Sequence, residues 1–468
     1  MKKNYLVVTG LIDEWEFSEK NFLLGRWCEF YEFNDFDKKN FDYKLLNKNN
    51  IIINPNHWED IRKKNKDYKY IEEKLEFLLE VISEKLNKIH NTNEKKEYWR
   101  IIIFTWLCNY TTTMFDRWEN IRIFFENNKS ENFHSNIISL DYLQYIPKNH
   151  MSFVYNVQKD EWNHMIYLRL LLFSKIKNLS MVKKKIKINN FKIKVKKKNF
   201  YFLNFFIIFI DNVVSKVAFK LNKIIIERFY FPKIEFLKIC LKCKLIPAKY
   251  INFFNFDVES KSSQNNSKRT KLKDFFLETK YEDKFIQFIL INLYKDIPKS
   301  YLENFDLIKK KIYPLSKKKK TIFSMHSLNF IDNFKVYIAE AKKSGSKYIH
   351  AIHGGGLIPK MDPYMNFYDK ISDKIIEWDN EKEKKDNLIR LSPTLPVIKK
   401  KNFKKGKSCS IIFLEHAKYV LKFSYGPGLI AQSIDLFDNV IEFVKNLNPE
   451  IRSNIKFRTK GNYSHDTE

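Results

Sequence analysis

Two histidines and three consecutive glycines stand at the end of one short apolar stretch. The stretch reads Lys347-Tyr-Ile-His-Ala-Ile-His-Gly-Gly-Gly356, in a chain of 468 residues that contains only 10 Gly. Glycine tolerates positive φ and lets backbone N–H groups approach a ligand without a Cβ in the way. Open α/β sheets bind nucleotides and phosphates at glycine-rich turns that follow the carboxyl ends of strands. The pattern therefore predicts a phosphate-binding turn at Gly354, Gly355 and Gly356.

Histidine side chains beside this turn could perform acid–base chemistry. Imidazole exchanges a proton near neutral pH, so His353 could take a proton from an acceptor hydroxyl or stabilise a leaving diphosphate. His326 follows the preceding strand candidate and would open onto the same edge. His350 lies an odd number of residues before His353, so we expect it on the opposite face of the strand. We predict His353 and His326 as catalytic residues, and the alternative for His353 is that it only hydrogen-bonds the turn.

The elements around the turn form a recognisable unit. Thr321-Ile-Phe-Ser-Met325 is a strand candidate, and the apolar spacing from Asp332 to Lys343 predicts a helix that Gly345 would end. The next strand then runs into His353. Strand, helix and strand in this order predict a βαβ unit with its polar residues at the strand tips.

Other predicted strands are also followed by polar residues. Ile51-Ile-Ile-Asn-Pro55 leads to His57-Trp58, and Ser410-Ile-Ile-Phe-Leu414 leads to a loop with His416 and Gly426-Pro-Gly428. Because parallel strands end at one edge of a sheet, we predict that His57 and His416 bind substrate or phosphate. A structural turn explains the loop after residue 414 equally well. Four charged residues near apolar stretches are more typical of buried salt bridges: Arg26, Arg100, Asp116 and Arg117.

Several enzyme classes lack their signatures here. No GxSxG elbow and no Walker A lysine is present, which argues against serine hydrolases and P-loop NTPases. Asp35-Phe-Asp37 has the spelling of a metal-binding pair but lies in a polar loop. Cys240-Leu-Lys-Cys243 is a single CxxC without a second pair. We therefore expect no metal and no cofactor.

The charge is strongly basic. With 85 Lys and Arg against 55 Asp and Glu, the formal charge is +30, which favours polyanionic partners such as nucleic acid, anionic membranes or phosphorylated substrates. Only 11 of the basic residues are Arg, the side chain best suited to bidentate recognition. A lysine-dominated excess fits a solvated surface better than a sequence-reading interface, and we expect no specific nucleic acid.

The organisation suggests one large and one incomplete domain. We predict an α/β domain over residues 1–400, with a helical and Lys-rich insertion at about 180–320. A basic, proline-containing linker precedes a second unit over 401–468, which has only the first elements of a Rossmann-like domain. The sequence thus predicts that this second domain is truncated.

Four stretches resemble one family, the transferases of O-antigen and surface-polysaccharide biosynthesis. They are 5–30 (Leu-Val-Val-Thr-Gly, then Leu-Leu-Gly-Arg-Trp-Cys), 98–120 (Phe-Asp-Arg-Trp-Glu), 160–164 (Asp-Glu-Trp-Asn-His) and 350–378 (His-Gly-Gly-Gly, then Ile-Ser-Asp). The surroundings of His353 are also similar to GT-B glycosyltransferases, in which a His-Gly turn lies in the cleft between two Rossmann-type domains. The resemblance implies a GT-B-like α/β fold, a nucleotide-sugar donor, a glycan or lipid-linked acceptor and no obligatory metal.

Three functions remain open at this point. The resemblance implies a glycosyltransferase-like enzyme that is cytoplasmic, at the inner face of the membrane, where lysines would attract anionic lipid. The charge alone would also fit a basic nucleic-acid-binding protein, although no nucleic-acid module is recognisable. The short second domain would fit a truncated remnant of a transferase without activity.

Overall fold

The protein is described here from a computed structural model. It describes residues 2–29, 50–184, 202–228, 232–248, 250–254, 256, 258, 262–352, 363–377, 386–391, 409–414, 417–423 and 430–460. Over these residues the chain is a mixed α/β protein built on parallel sheets.

The first sheet has five parallel strands in the order β3-β2-β1-β4-β5. These strands are β1 (Asn4–Val7), β2 (Lys20–Leu23), β3 (Ile51–Ile53), β4 (Phe133–Ile138) and β5 (Leu179–Lys184). Leu6, Val7, Phe22 and Leu23 are buried, as expected for central strands that are covered on both faces.

The second sheet is also parallel, in the order β10-β9-β8-β7-β6. Its strands are β6 (Ile224–Glu227), β7 (Thr321–Ser324), β8 (Lys347–Ala351), β9 (Lys374–Glu377) and β10 (Leu388–Arg390). The register pairs Glu227 with Ser324, and Ser324 with His350. The carboxyl ends of three neighbouring strands are thereby aligned.

Helices cover both sheets. They are α1 (Ile61–His90), α2 (Lys96–Asn127), α3 (His150–Val157), α4 (Asp160–Ser174), α5 (Phe202–Leu221), α6 (Lys233–Lys242), α7 (Ile251–Phe254), α8 (Ser262–Leu277), α9 (Lys284–Asp296), α10 (Phe305–Ser316), α11 (Asp332–Lys343) and α12 (Pro363–Ile371). The predicted βαβ unit is present as β7, α11 and β8, and Gly345 follows α11 at φ +84°. A left-handed residue at this point is the usual way to end a helix.

A third parallel pair follows the second sheet. It consists of β11 (Cys409–Leu414) and β12 (Ile455–Lys460), with α13 (Ile430–Lys445) and α14 (Pro449–Arg452) between them. Both five-stranded sheets thus lie before residue 392 in the chain. The domain boundary at residue 401 and the truncation of the second domain stay predictions.

Helix α2 connects the two sheets. Its residues from Tyr98 to Arg117 are buried on every side, which requires packing partners all around the helix. Near its start Tyr98 donates to Glu340 at the end of α11 (2.6 Å). Near its end Phe124 packs against Phe22 and Phe133 of the first sheet.

Between these ends, α2 passes the carboxyl edges of both sheets. Thr105 Oγ1 donates to the carbonyl of Leu328, just beyond β7 (3.2 Å), and Asp116 lies 3.3 Å from His57, just beyond β3. With a rise of 1.5 Å per residue, these two points are about 16 Å apart along the helix. The carboxyl edges of the two sheets therefore face each other along the middle of α2.

Within the described part of the chain, no helix combines the length and apolar character that a bilayer crossing requires.

Candidate active site

A row of polar side chains crosses the carboxyl edge of the second sheet. Glu227, Ser324 and His350 are register neighbours on β6, β7 and β8, and paired residues of parallel strands project to the same face. Ser324 Oγ donates to Glu227 Oε2 at 3.4 Å. All three side chains are buried.

Glu227 is an unusual residue for this position. Burial raises the pKa of its carboxyl, although the hydroxyls of Ser327 and Ser324 and the charge of Arg228 oppose the shift. A carboxyl group with a raised pKa keeps its proton to a higher pH than an ordinary glutamate does. Glu227 was not predicted from the sequence, where its signal is the apolar run Ile224-Ile-Ile that ends in an acidic residue.

His326 lies just beyond β7, after Met325. It is partly exposed, and its ring contacts that of Phe330 with centroids 4.9 Å apart. A partly exposed imidazole at this edge can reach a ligand, whereas the buried residues behind it can only support one.

His350 packs inside the protein. Its ring stacks on Tyr368 of α12, with centroids 3.5 Å apart, and the Tyr368 hydroxyl hydrogen-bonds the side chain of Asn329. His350 is therefore a supporting residue that links β8 to α12.

The glycine turn and two of the predicted histidines lie outside the described residues. These are His353, Gly354, Gly355, Gly356 and His416. The strand that leads to the turn ends at Ala351, beside β7 and β9 at the same carboxyl edge. The roles of these five residues stay predictions.

At the carboxyl edge of the first sheet, the carboxylates of Glu14 and Asp160 accept hydrogen bonds from other groups of the protein. Glu14 Oε2 accepts from the backbone N–H groups of Val8 and Thr9 (2.7 and 2.8 Å), and Glu14 Oε1 accepts from His164 Nδ1 (2.7 Å). His164 Nε2 in turn accepts from the N–H of Ile138 (3.0 Å). Each of these polar groups has a partner, so this pair stabilises the loop after β1.

Asp160 is the second carboxylate that holds this edge together through hydrogen bonds. Its Oδ1 accepts from Gly10 N–H (3.1 Å) and its Oδ2 from Lys418 Nζ (2.6 Å), and the Tyr419 hydroxyl also donates to it. A Cβ at Gly10 would lie 2.6 Å from Lys418 Nζ, so a side chain there would displace the lysine. Segment 417–423 is thereby fixed onto the first sheet.

His57 lies at the same edge but is buried. Its Nε2 is 3.3 Å from Asp116 Oδ1, and its side chain is 1% exposed. The structure thus places His57 at the edge of the first sheet and His326 at the edge of the second. The two residues do not form one cluster.

Arg100, Asp116 and Arg117 of α2 form a buried scaffold, as the sequence predicted. Arg117 donates to Asn163 Oδ1 (3.0 and 2.9 Å), to Asp116 (2.8 Å) and to the carbonyl of Val420 (2.8 Å). Arg100 binds Glu76 through two hydrogen bonds of 2.7 and 2.6 Å. Asp160 and Lys418 were missed as scaffold residues because their contact joins positions far apart in the chain.

A family model described as LIC12162 family transferase matches residues 4–468. The chain belongs to the LIC12162 family of transferases. It matches none of the curated proteins and none of the solved structures with which it was compared. As an LIC12162 family transferase, the protein acts between a donor and an acceptor.

Proposed function

We propose that this transferase moves a sugar from a nucleotide-activated donor onto a glycan or lipid-linked acceptor in surface-polysaccharide (O-antigen) biosynthesis. The observation that carries the proposal is the arrangement along α2, where the carboxyl edges of two parallel sheets face each other. Parallel sheets bind ligands in the crevice outside the carboxyl ends of their strands. Two facing edges can therefore hold a donor and an acceptor at once, as in a GT-B arrangement.

In this proposal the second sheet supplies the chemistry. The N–H groups of Gly354, Gly355 and Gly356 bind the diphosphate of the donor, and His353 takes the proton from the acceptor hydroxyl. His326, partly exposed beside them, assists at the leaving group. The buried Glu227 and Ser324 hold this edge in place.

The proposal includes peripheral contact with the inner face of the membrane. Ile234, Leu237 and Leu241 of α6 are 67, 46 and 75% exposed and share one helix face at spacings of three and four. The exposed Lys238 and Lys242 flank this face. Apolar side chains beside lysines suit an anionic lipid surface, where the acceptor of such a reaction would reside.

A donor screen followed by a turnover assay tests the proposal. Sugar nucleotides are first screened by thermal shift against the purified chain, and the stabilising ones are then assayed for transfer to glycan acceptors in the presence of anionic vesicles. We expect turnover with at least one donor. Replacing His353 or His326 by Ala should lower kcat by roughly 100-fold, because general acid–base groups contribute at least that much.

His134→Ala is the matched control. His134 is also partly exposed and packs beside an aromatic ring, Tyr5, but it lies near the amino end of β4. It should retain full activity. If no sugar nucleotide binds or reacts, the glycosyltransferase proposal fails. If a donor reacts and both His353→Ala and His326→Ala are fully active, the function stands and the assignment of these histidines fails.

A further inference from the structure

A buried histidine and two buried carboxylates meet at the carboxyl edge of the first sheet. They are His57, Asp67 and Glu119, which come from the loop after β3, from α1 and from α2, and each offers one ligand atom within 4.8 Å of the other two. Counted over the whole residue, His57, Asp67 and Glu119 are 7, 8 and 6% exposed. We propose that this cluster, which we call the His57 site, binds a divalent transition-metal ion such as Zn²⁺.

The tautomer of His57 supports the proposal. A carboxylate can only accept hydrogen bonds, so the nitrogen that faces Asp116, Nε2 at 3.3 Å, carries the proton. The other nitrogen, Nδ1, is buried without a hydrogen-bond partner among the described residues and lies 3.9 Å from Asp67 Oδ2. A lone pair on Nδ1 that faces a carboxylate needs a cation between them.

Asp116 orients the ring of His57 from the side opposite the proposed ion. Metal-binding histidines usually donate their other N–H to a carboxylate, which fixes the ring and makes the ligand nitrogen more basic. Asp116 is itself held by Arg117 at 2.8 Å, and Trp58 Nε1 donates to Asp67 at 2.9 Å. The ligand side chains are therefore oriented before any ion arrives.

A cation already lies at the His57 site in the form of the Lys63 ammonium. Its Nζ contacts Asp67 and lies 2.7 Å from Glu119, while its side chain is 20% exposed. A metal ion would replace this ammonium, which can swing into solvent on its flexible stem. Ligands at about 2.1 Å from Zn²⁺ lie roughly 3–4 Å apart in tetrahedral geometry. The site must therefore contract slightly once Lys63 leaves.

Arg122 is a second side chain that would compete with a metal ion for Glu119. Arg122 binds both of its oxygens, at 2.7 and 2.8 Å, but Arg122 also binds Glu126 at 2.6 Å and is 41% exposed. Arg122 can thus keep a carboxylate partner when Glu119 turns to an ion. Three protein ligands leave coordination positions for an exchangeable fourth group, which is typical of a site where a ligand meets the metal. This inference departs from the expectation of no metal and does not depend on the proposed function.

Zinc titration of the EDTA-treated full chain tests the proposal, with the double variant Cys243→Ser, Cys409→Ser as the common background because both residues are exposed thiols. We expect one Zn²⁺ per chain by calorimetry. His57→Gln should weaken binding by at least tenfold, and Asp116→Asn by roughly 10- to 100-fold. Lys63→Met removes the competing ammonium and should tighten binding by about tenfold.

His134→Gln is the control and should bind Zn²⁺ like the background protein. Co²⁺ in place of Zn²⁺ reports the ligands directly, because its visible absorption depends on coordination geometry, and this spectrum should be lost in His57→Gln. The proposal is overturned if neither the background protein nor Lys63→Met binds Zn²⁺. It is equally overturned if His57→Gln binds with unchanged affinity, since the ion would then lie elsewhere.

Discussion

At the scale of single residues, Arg117 shows what the sequence could and could not reveal. A charge inside an apolar helix has to be paired, because an unpaired buried charge is very costly. The sequence therefore predicted a polar network at Asp116 and Arg117. It could not show the partners, since Asn163 and Val420 come from α4 and from segment 417–423. Buried charge is readable from a pattern, whereas its partner is set by tertiary structure.

Replacing Arg117 by Met should cost about 3–5 kcal/mol of unfolding free energy. The substitution removes the guanidinium and leaves Asp116 and the carbonyl of Val420 buried without it. Urea unfolding followed by circular dichroism measures the loss. Arg122→Met is the control, because Arg122 is 41% exposed and its ion pairs should contribute only about 0–1 kcal/mol. Equal losses in the two variants would contradict the assignment of Arg117 as scaffold.

At the scale of elements, periodicity predicted the helices well and the sheets only in part. The helix predicted from the apolar spacing between Asp332 and Lys343 is present as α11 (Asp332–Lys343). Strand β6 was missed inside the Lys-rich region, because four residues give little periodic signal. Its pairing with β7 joins segments about a hundred residues apart, and no local pattern encodes such a pairing. The alignment of Glu227, Ser324 and His350 on neighbouring strands could not be predicted from the sequence for the same reason.

Three helices meet at Glu76, and this contact should depend on pH. Glu76 on α1 bonds Arg100 on α2 and Lys370 on α12 (2.6 Å), and the hydrogen bond from Arg100 is the main cause that lowers the pKa of Glu76 to about 2. Because the folded value lies below the ordinary 4.5, the stabilisation is present above pH 4.5 and is lost as the pH falls towards 2. Glu76→Gln should therefore be less stable than wild type at pH 7 and nearly equal to it at pH 2.

Urea unfolding at a series of pH values measures this difference. Glu80→Gln serves as the comparison, since Glu80 forms a 3.3 Å pair with Lys96 at the surface, with a side chain that is 62% exposed. It should change stability little at any pH. A gap between wild type and Glu76→Gln that stays constant from pH 7 to 2 would show that the contact does not contribute through its charge.

At the scale of the whole molecule, the charge of +30 and the family membership point to different partners. Charge alone fits any polyanion, including nucleic acid. In the proposed function the exposed apolar face of α6 contacts lipid, because apolar side chains gain by leaving water at a membrane surface and gain little on a duplex. The resemblance predicted a transferase, which the family match confirms, while the arrangement of the two sheets required the structure.

Vesicle binding separates these partners. Leu237→Glu combined with Leu241→Glu should lower the affinity for vesicles of anionic phospholipid by at least about tenfold, since two leucines no longer leave water. Cosedimentation measures it. Leu172→Glu makes the same kind of change at a site on α4 that is 55% exposed and should bind almost normally. If both proteins bind vesicles and DNA equally well, the surface attracts anions without preference and α6 is not a lipid contact.

Helix α2 has a consequence for how such a protein can change over time. This single helix of 32 residues packs against both sheets, so each half of the molecule shares part of its core with the other half. Recombination that exchanged one half for that of a relative would interrupt α2 or change the residues that pack against it. We therefore expect that hybrids between family members fold only when α2 and the residues packed against it come from the same parent. Donor and acceptor preferences should then diversify through changes in loops instead of through exchange of whole halves.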